Sequence, residues 1–205
     1  MAHAATLAHV DVMQPPPEAE AGAGVYNEKL GMWVFLLSEI MFFTALIGSY
    51  LILRVAHPSS WAPPGKVLNV PITATNTFLL ICSSVTMVKA FASAQAGAQK
   101  AMRWWLVATV VIGAGFVGVQ IYEYWHLIEK GFVPSEGLYG STFYTMTGFH
   151  GFHVTVGVLC MMFVTWKAFR GKYTATDHRG IEVIGLYWHF VDLVWIILFT
   201  IVYLI

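Results

Sequence analysis

Charge is what this sequence has least of. Lys and Arg number 11 and Asp and Glu another 11, so charged residues make up 11% of the 205-residue chain and cancel to zero net charge. Soluble domains carry roughly 25%. Without a basic excess there is no electrostatic footprint for nucleic acid. Cysteine is scarce too: Cys82 and Cys160 both lie in apolar runs, where a thiol behaves as a small hydrophobe rather than half of a disulfide. No CxxC or CxxCH spacing occurs, so neither a zinc knuckle nor covalent haem attachment is indicated. The first 28 residues lack Lys and Arg and carry a "PPP" run. A secretory signal needs a basic start, a short apolar core and a cleavage site. None is read here, and the first apolar span is expected to act as an uncleaved insertion signal.

Apolar residues, by contrast, make up 58% of the chain. Five runs are long enough to cross a hydrocarbon core, which takes about 20 helical residues: 31–53, 72–93, 104–127, 141–168 and 181–204. Spanning segments must satisfy their backbone groups internally, and the strict alternation of a barrel is missing. The reading is an all-α integral membrane protein, a five-transmembrane-helix bundle spanning residues 30–205, preceded by a polar flexible tail over 1–29. Lys29, Lys89, Lys100, Arg103, Lys167, Arg170, Lys172 and Arg179 fall on one side, against Arg54, Lys66 and Lys130 on the other. The positive-inside rule then puts the N-terminus in the cytoplasm and the C-terminus on the external, periplasmic side. Gly113, Gly115 and Gly118 on the third span, and Gly148, Gly151 and Gly157 on the fourth, are placed for close helix packing.

Ionisable groups at membrane depth are costly and face the bundle interior or a wet cavity. Glu39, in "WVFLLSEIMFF", lies about 12 Å along its span at 1.5 Å per residue. It reads either as a proton-exchanging or lipid-contacting acid or as a neutral acid bonded to a neighbouring helix. In "QIYEYWHL", Glu123 and His126 stand at i, i+3 and are expected to form a hydrogen-bonded pair near the outer interface. His150 and His153 share the fourth helix, and "LYWHFVDLVW" on the fifth adds Tyr187, His189 and Asp192 at a similar depth. The two groups are expected to meet across a helix interface and to serve as interhelical hydrogen bonds. A metal site needs three or four convergent ligands, and none is assigned.

The stretches "GLYGSTFYTMTGFHGFHVTVG" and "YWHFVDLVWIILFTIVYL" closely resemble signature segments of subunit III of haem-copper terminal oxidases. "LSEIMFF" and "GVQIYEYWHL" match further blocks in the same order, so the resemblance runs from about residue 30 to the C-terminus. It implies a non-redox subunit of the bacterial inner membrane beside oxidase subunits I and II, which carry the haem and copper. It also implies bound structural phospholipid, support for proton uptake, and a role in keeping the redox subunit active. The family's reactive in-membrane carboxylate falls on Glu39. Its helix-four histidines fall on His150 and His153, and its WHFVD motif on Trp188, His189, Phe190, Val191 and Asp192. Many members have two further helices at the start, so this chain looks like the shorter five-helix bacterial form. Lipid retention here is then expected to depend on a partner subunit for the missing wall.

Short forms also occur in quinol oxidases, but "YWHFVD" with "TGFHGFHV" leans the reading toward the aa3-type cytochrome c oxidase. The donor, cytochrome c or quinol, is met by other subunits. Two competing readings are a subunit associated with nitric oxide reductase and a free-standing proton or solute transporter relaying through Glu39, Glu123 and Asp192. Against the transporter stand the missing internal repeat and the absence of helix-breaking proline inside the spans.

Overall fold

An apolar segment in hydrocarbon has no water to bond, and a helix closes its backbone hydrogen bonds within itself. The computed structural model describes residues 26–61, 68–135 and 137–204. Its helices are α1 (Asn27–Ala56), α2 (Val70–Gln95), α3 (Gln99–Glu129), α4 (Leu138–Phe169) and α5 (Arg179–Phe199). A 3₁₀ turn follows α1 at Pro58–Ser60, and a π-helical turn at Thr200–Leu204 continues α5. All five are long and apolar enough to cross a membrane, and no strand occurs among the described residues.

The helices run past the boundaries expected from the apolar runs. α1 starts at Asn27 rather than 31 and ends at Ala56 rather than 53, and α3 starts at Gln99 rather than 104. An apolar window stops at the first charge, whereas the helix continues through Lys29, Arg54, Lys100 and Arg103. Long cationic side chains on outer turns reach headgroup depth without breaking the backbone ladder. Residues 27–29 of the expected tail are therefore helical. Residues 1–25, and 62–67 of the first loop with Lys66, lie outside the described residues.

α2 and α4 stop by the same device. Gly97 and Gly171 each sit at φ 70°, a left-handed conformation that L side chains avoid. At these ends Ala98 N–H donates to the Ser93 carbonyl at 2.9 Å and Lys172 N–H to the Lys167 carbonyl at 3.2 Å. Those bonds satisfy carbonyls that the helix end would otherwise orphan.

α2, α3, α4 and α5 pack in a closed ring, each against the next, while α1 lies outside it against α4 and α5. Buried residues make up 56% of the most apolar stretch of α5 but 6% of that of α1, which makes α5 the hub and α1 the periphery. The hub is built on Trp188, which is fully buried. A Cβ on Gly113 would meet its ring at 2.7 Å, and one on Gly157 would meet Tyr187 at 3.0 Å and Trp188 at 3.1 Å. Of the glycines expected at helix contacts, Gly113, Gly151 and Gly157 are the tight ones. Gly115 and Gly118 face open space and Gly148 has only the Tyr124 hydroxyl at 3.8 Å.

α1 is tied to α5 at both ends. At one end Lys29 Nζ and the Tyr26 hydroxyl both donate to Glu182, at 2.6 and 2.9 Å. Burial, then the bond to Glu182, pushes the Tyr26 phenol above its usual range. At the other end Arg54 Nη1 donates to the Ile201 carbonyl at 3.2 Å. The odd number of antiparallel helices leaves the start of α1 and the end of α5 at opposite ends of the bundle.

Candidate functional site

The ionisable groups inside the bundle do not form one cluster; they divide into separate units, each joining different helices. The first joins α1 to α4. His153 Nε2 lies 3.0 Å from Glu39 Oε2, with the two side chains 12% and 17% exposed. His153 Nδ1 lies 2.7 Å from the Phe149 carbonyl. A carbonyl only accepts, so Nδ1 carries a proton, and one further proton sits between Nε2 and Glu39. Either the carboxylic acid donates to a neutral imidazole or an imidazolium donates to the carboxylate. Both arrangements are neutral overall, which suits a site at membrane depth. Phe43 borders the unit with its ring centroid 5.1 Å from that of His153.

The second unit joins α2 to α5. The Ser84 hydroxyl is hydrogen-bonded to Asp192 Oδ2, and His189 Nδ1 lies 3.1 Å from Ser84 Oγ. Asp192 is buried, and its Oδ1 has no partner among the described residues. The third joins α2, α3 and the last turn. Thr73 and Tyr203 donate to Glu123 Oε1 at 2.8 and 3.3 Å.

These units correct three expectations. The α4 and α5 groups meet through Tyr187, whose hydroxyl reaches the His153 carbonyl, but the His153 imidazole turns to α1, while His189 and Asp192 turn to α2. Both pairs occupy similar depths, but the helix faces that carry them differ. Glu123 does not pair with His126. It turns into the bundle, whereas His126 lies outside with its ring stacked on Tyr122 at 6.3 Å and Nδ1 3.8 Å from Glu129. His150 makes no interhelical hydrogen bond. It is completely buried, and neither ring nitrogen has a partner among the described residues. It stacks on Trp195 at 4.8 Å and meets Phe116 edge-on at 6.2 Å. No group of three or more His, Cys, Asp or Glu among the described residues converges as metal ligands would. Tyr187, the remaining expected group, donates to the His153 carbonyl at 2.9 Å and so braces α5 on α4.

Several polar contacts were not expected from the sequence. The indoles of Trp188 and Trp195 donate to Ser83 and Thr77 on α2, each at 2.9 Å. Gln120 donates to the Thr147 carbonyl at 3.0 Å. The signal available was the recurrence of hydroxyls along α2, at Thr73, Thr77, Ser83 and Ser84, although small polar residues are common enough in spans to pass as helix filler.

A cleft of about 830 Å³ opens where the start of α1 meets the end of α4 and the start of α5. Its walls include Met32, Val164 and Ile184, and its rim includes Lys167, Arg170 and Lys172. Glu28 and Asp177 line it as well, beside Arg179, so the cleft combines apolar walls with charged groups of both signs, cations in excess.

Five long apolar helices, with Glu39, Glu123 and Asp192 each bonded across a helix boundary, define a multi-pass helical membrane protein. The profile described as cytochrome c oxidase subunit III matches residues 22–205, and the chain belongs to that family. It is 40% identical over 176 residues to cytochrome c oxidase subunit 3 of Thermostichus vulcanus, covering 85% of this chain and 86% of that one. A probable cytochrome c oxidase subunit 3 of Mycobacterium leprae is 41% identical over 86% of this chain and 87% of its own length. The cytochrome bo(3) ubiquinol oxidase subunit 3 of Pseudomonas aeruginosa is 36% identical over 87% and 85%.

Proposed function

We propose that this chain is the non-redox subunit III of a proton-translocating aa3-type cytochrome c oxidase in a bacterial inner membrane. It sits beside subunits I and II, which hold the haem and copper, keeps the redox subunit active, binds phospholipid and supports proton uptake. The family match carries the subunit assignment, and the observation that carries the proton-uptake part is the Glu39–His153 unit. It stores a proton inside the membrane in a form that carries no net charge, so the site can be occupied without stranding an ion in hydrocarbon. The basic-rimmed cleft supports the lipid part of the reading: cations at its mouth suit a phosphate, and its apolar walls suit an acyl chain.

The test is purification of the intact complex with wild-type chain and with Glu39→Gln. The amide keeps a hydrogen bond to His153 but cannot exchange the acid proton. Wild-type complex is expected to show haem and copper in the larger subunits and phospholipid retained with this one. The variant is expected to assemble normally while its proton uptake slows and its activity decays faster during turnover. Equal uptake, decay and lipid content in both would overturn the role of Glu39. A complex that oxidises quinol but not cytochrome c would replace the donor assignment. That second reading is favoured by the similarity to the Pseudomonas aeruginosa ubiquinol oxidase subunit.

A further inference from the structure

Three cations of the cleft beside α1 have no acid of their own. Lys167, Arg170, Lys172 and Arg179 line it against Glu28 and Asp177, four cations to two acids. Arg179 has Asp177 at 3.5 Å. No carboxylate among the described residues stands within ion-pair distance of Lys167, Arg170 or Lys172. Lys167 instead lies 4.6 Å from the centroid of the Phe163 ring, and Arg170 4.0 Å from that of Trp166. Such contacts hold a cation in place without neutralising it.

The chain enters α1 at this same cleft. Glu28 and Met32 line it, and Tyr26 is fixed at its edge, its hydroxyl on Glu182 and its ring 5.6 Å from the Arg179 guanidinium. The stretch before Tyr26 carries Asp11, Glu18 and Glu20 and no Lys or Arg. Its charge is therefore opposite to that of the cleft. Its length fits as well: Glu20 is six residues from Tyr26 and Glu18 eight. At about 3.3–3.6 Å per extended residue, their carboxylates reach about 20 and 27 Å from that anchor. The attachment at Tyr26 makes the contact intramolecular, at an effective concentration on the order of millimolar.

We propose that the acidic segment around Glu18 and Glu20 folds back onto the cleft and seats its carboxylates on Lys167, Arg170 and Lys172. A phosphate bound at the cleft draws on the same three cations, so segment and phospholipid headgroup exclude each other there. The chain thus carries its own competitor for the lipid site, and an anionic headgroup displaces it more readily than a zwitterionic one. The docking stands on the charge and reach of the segment; the competition rests on the proposed lipid role of the cleft and adds its regulation.

The test uses the full chain in its native complex, reconstituted in nanodiscs. A photo-crosslinking amino acid at Ala19 is expected to give adducts within this chain, on residues 164–184. Arg170→Glu with Lys172→Glu is expected to lower their yield by about threefold or more, the scale of two exposed ion pairs lost. Adding Glu18→Lys and Glu20→Lys to that variant is expected to restore it. Raising salt from about 0.05 to 0.5 M shortens the screening length and is expected to lower the wild-type yield. Nanodiscs of phosphatidylglycerol are expected to give fewer adducts than nanodiscs of phosphatidylcholine. Glu18→Gln with Glu20→Gln is expected to retain at least about twice as much phosphatidylglycerol through detergent washing as wild type. Adducts confined to lipid or to another subunit, or a yield indifferent to the charge reversals, would overturn the docking. Equal phosphatidylglycerol retention in wild type and the double glutamine variant would overturn the competition while leaving the lipid reading intact. A chain that holds no phospholipid in either form would overturn the lipid reading, and the competition with it.

Discussion

Individual side chains in this bundle differ most in whether their polar atoms are satisfied. Glu123 accepts from Thr73 and Tyr203, so Glu123→Leu would take the carboxylate acceptor from the buried Tyr203 hydroxyl and leave Thr73 only the Asn69 carbonyl of its own helix. Unfolding of the detergent-solubilised protein is expected to show a loss of about 1–3 kcal/mol. His126, one turn further on, is outside the bundle, and His126→Ala is expected to stay within about 0.5 kcal/mol of wild type. A reversed order of those two would show that Glu123 is not the anchor. His150 presents the opposite case. It is buried against Phe43, Phe116 and Trp195, and neither nitrogen has a partner among the described residues. Exchanging it for an apolar side chain of similar volume removes a desolvation cost, so His150→Met is expected to raise thermal stability, by about 1 kcal/mol. A fall in melting temperature would mean that the imidazole is bonded in the assembled protein.

At the scale of helices, association without a hydrophobic driving force depends on close backbone approach and on bonds across helices. Both converge on α5. Trp188 fills the space left by Gly113 on α3 and Gly157 on α4 and bonds Ser83 on α2, so one side chain joins all four helices of the ring. A methyl group at residue 113 has no room, because the nearest ring atom is rigid and buried. Gly113→Ala is expected to cost about 1–3 kcal/mol through displacement of that ring. Gly115→Ala meets open space and is expected to be neutral or stabilising by up to about 1 kcal/mol, through helix propensity alone. Denaturation of the two variants side by side checks the contrast, and equal losses would remove Trp188 as the hub.

For the molecule as a whole, orientation in the membrane decides what each end can meet. The basic loop after α4 and the start of α1 share one end of the bundle, since Lys29 reaches Glu182 across 2.6 Å. On a background lacking Cys82 and Cys160, Lys130→Cys is expected to react with an impermeant maleimide added to intact spheroplasts, while Ala175→Cys is expected to react only after lysis. The opposite pattern would reverse the assigned topology. Five spans were legible in the sequence because hydrocarbon accepts few backbone solutions, and runs such as 31–53 and 104–127 are too long and apolar for any other. The family was legible because long motifs, "GFHGFHV" and "YWHFVD" among them, keep their order along the chain. The pairing of polar groups was not. His150, His153, His189 and Asp192 share a depth, and depth is all that position along a helix conveys. Which of them meet depends on the rotation of each helix about its axis and on which neighbours it has. Both follow from packing, from Trp188 seated on Gly113 and Gly157. That packing turns His153 toward Glu39, Asp192 toward Ser84, and His150 into a cage of aromatic rings.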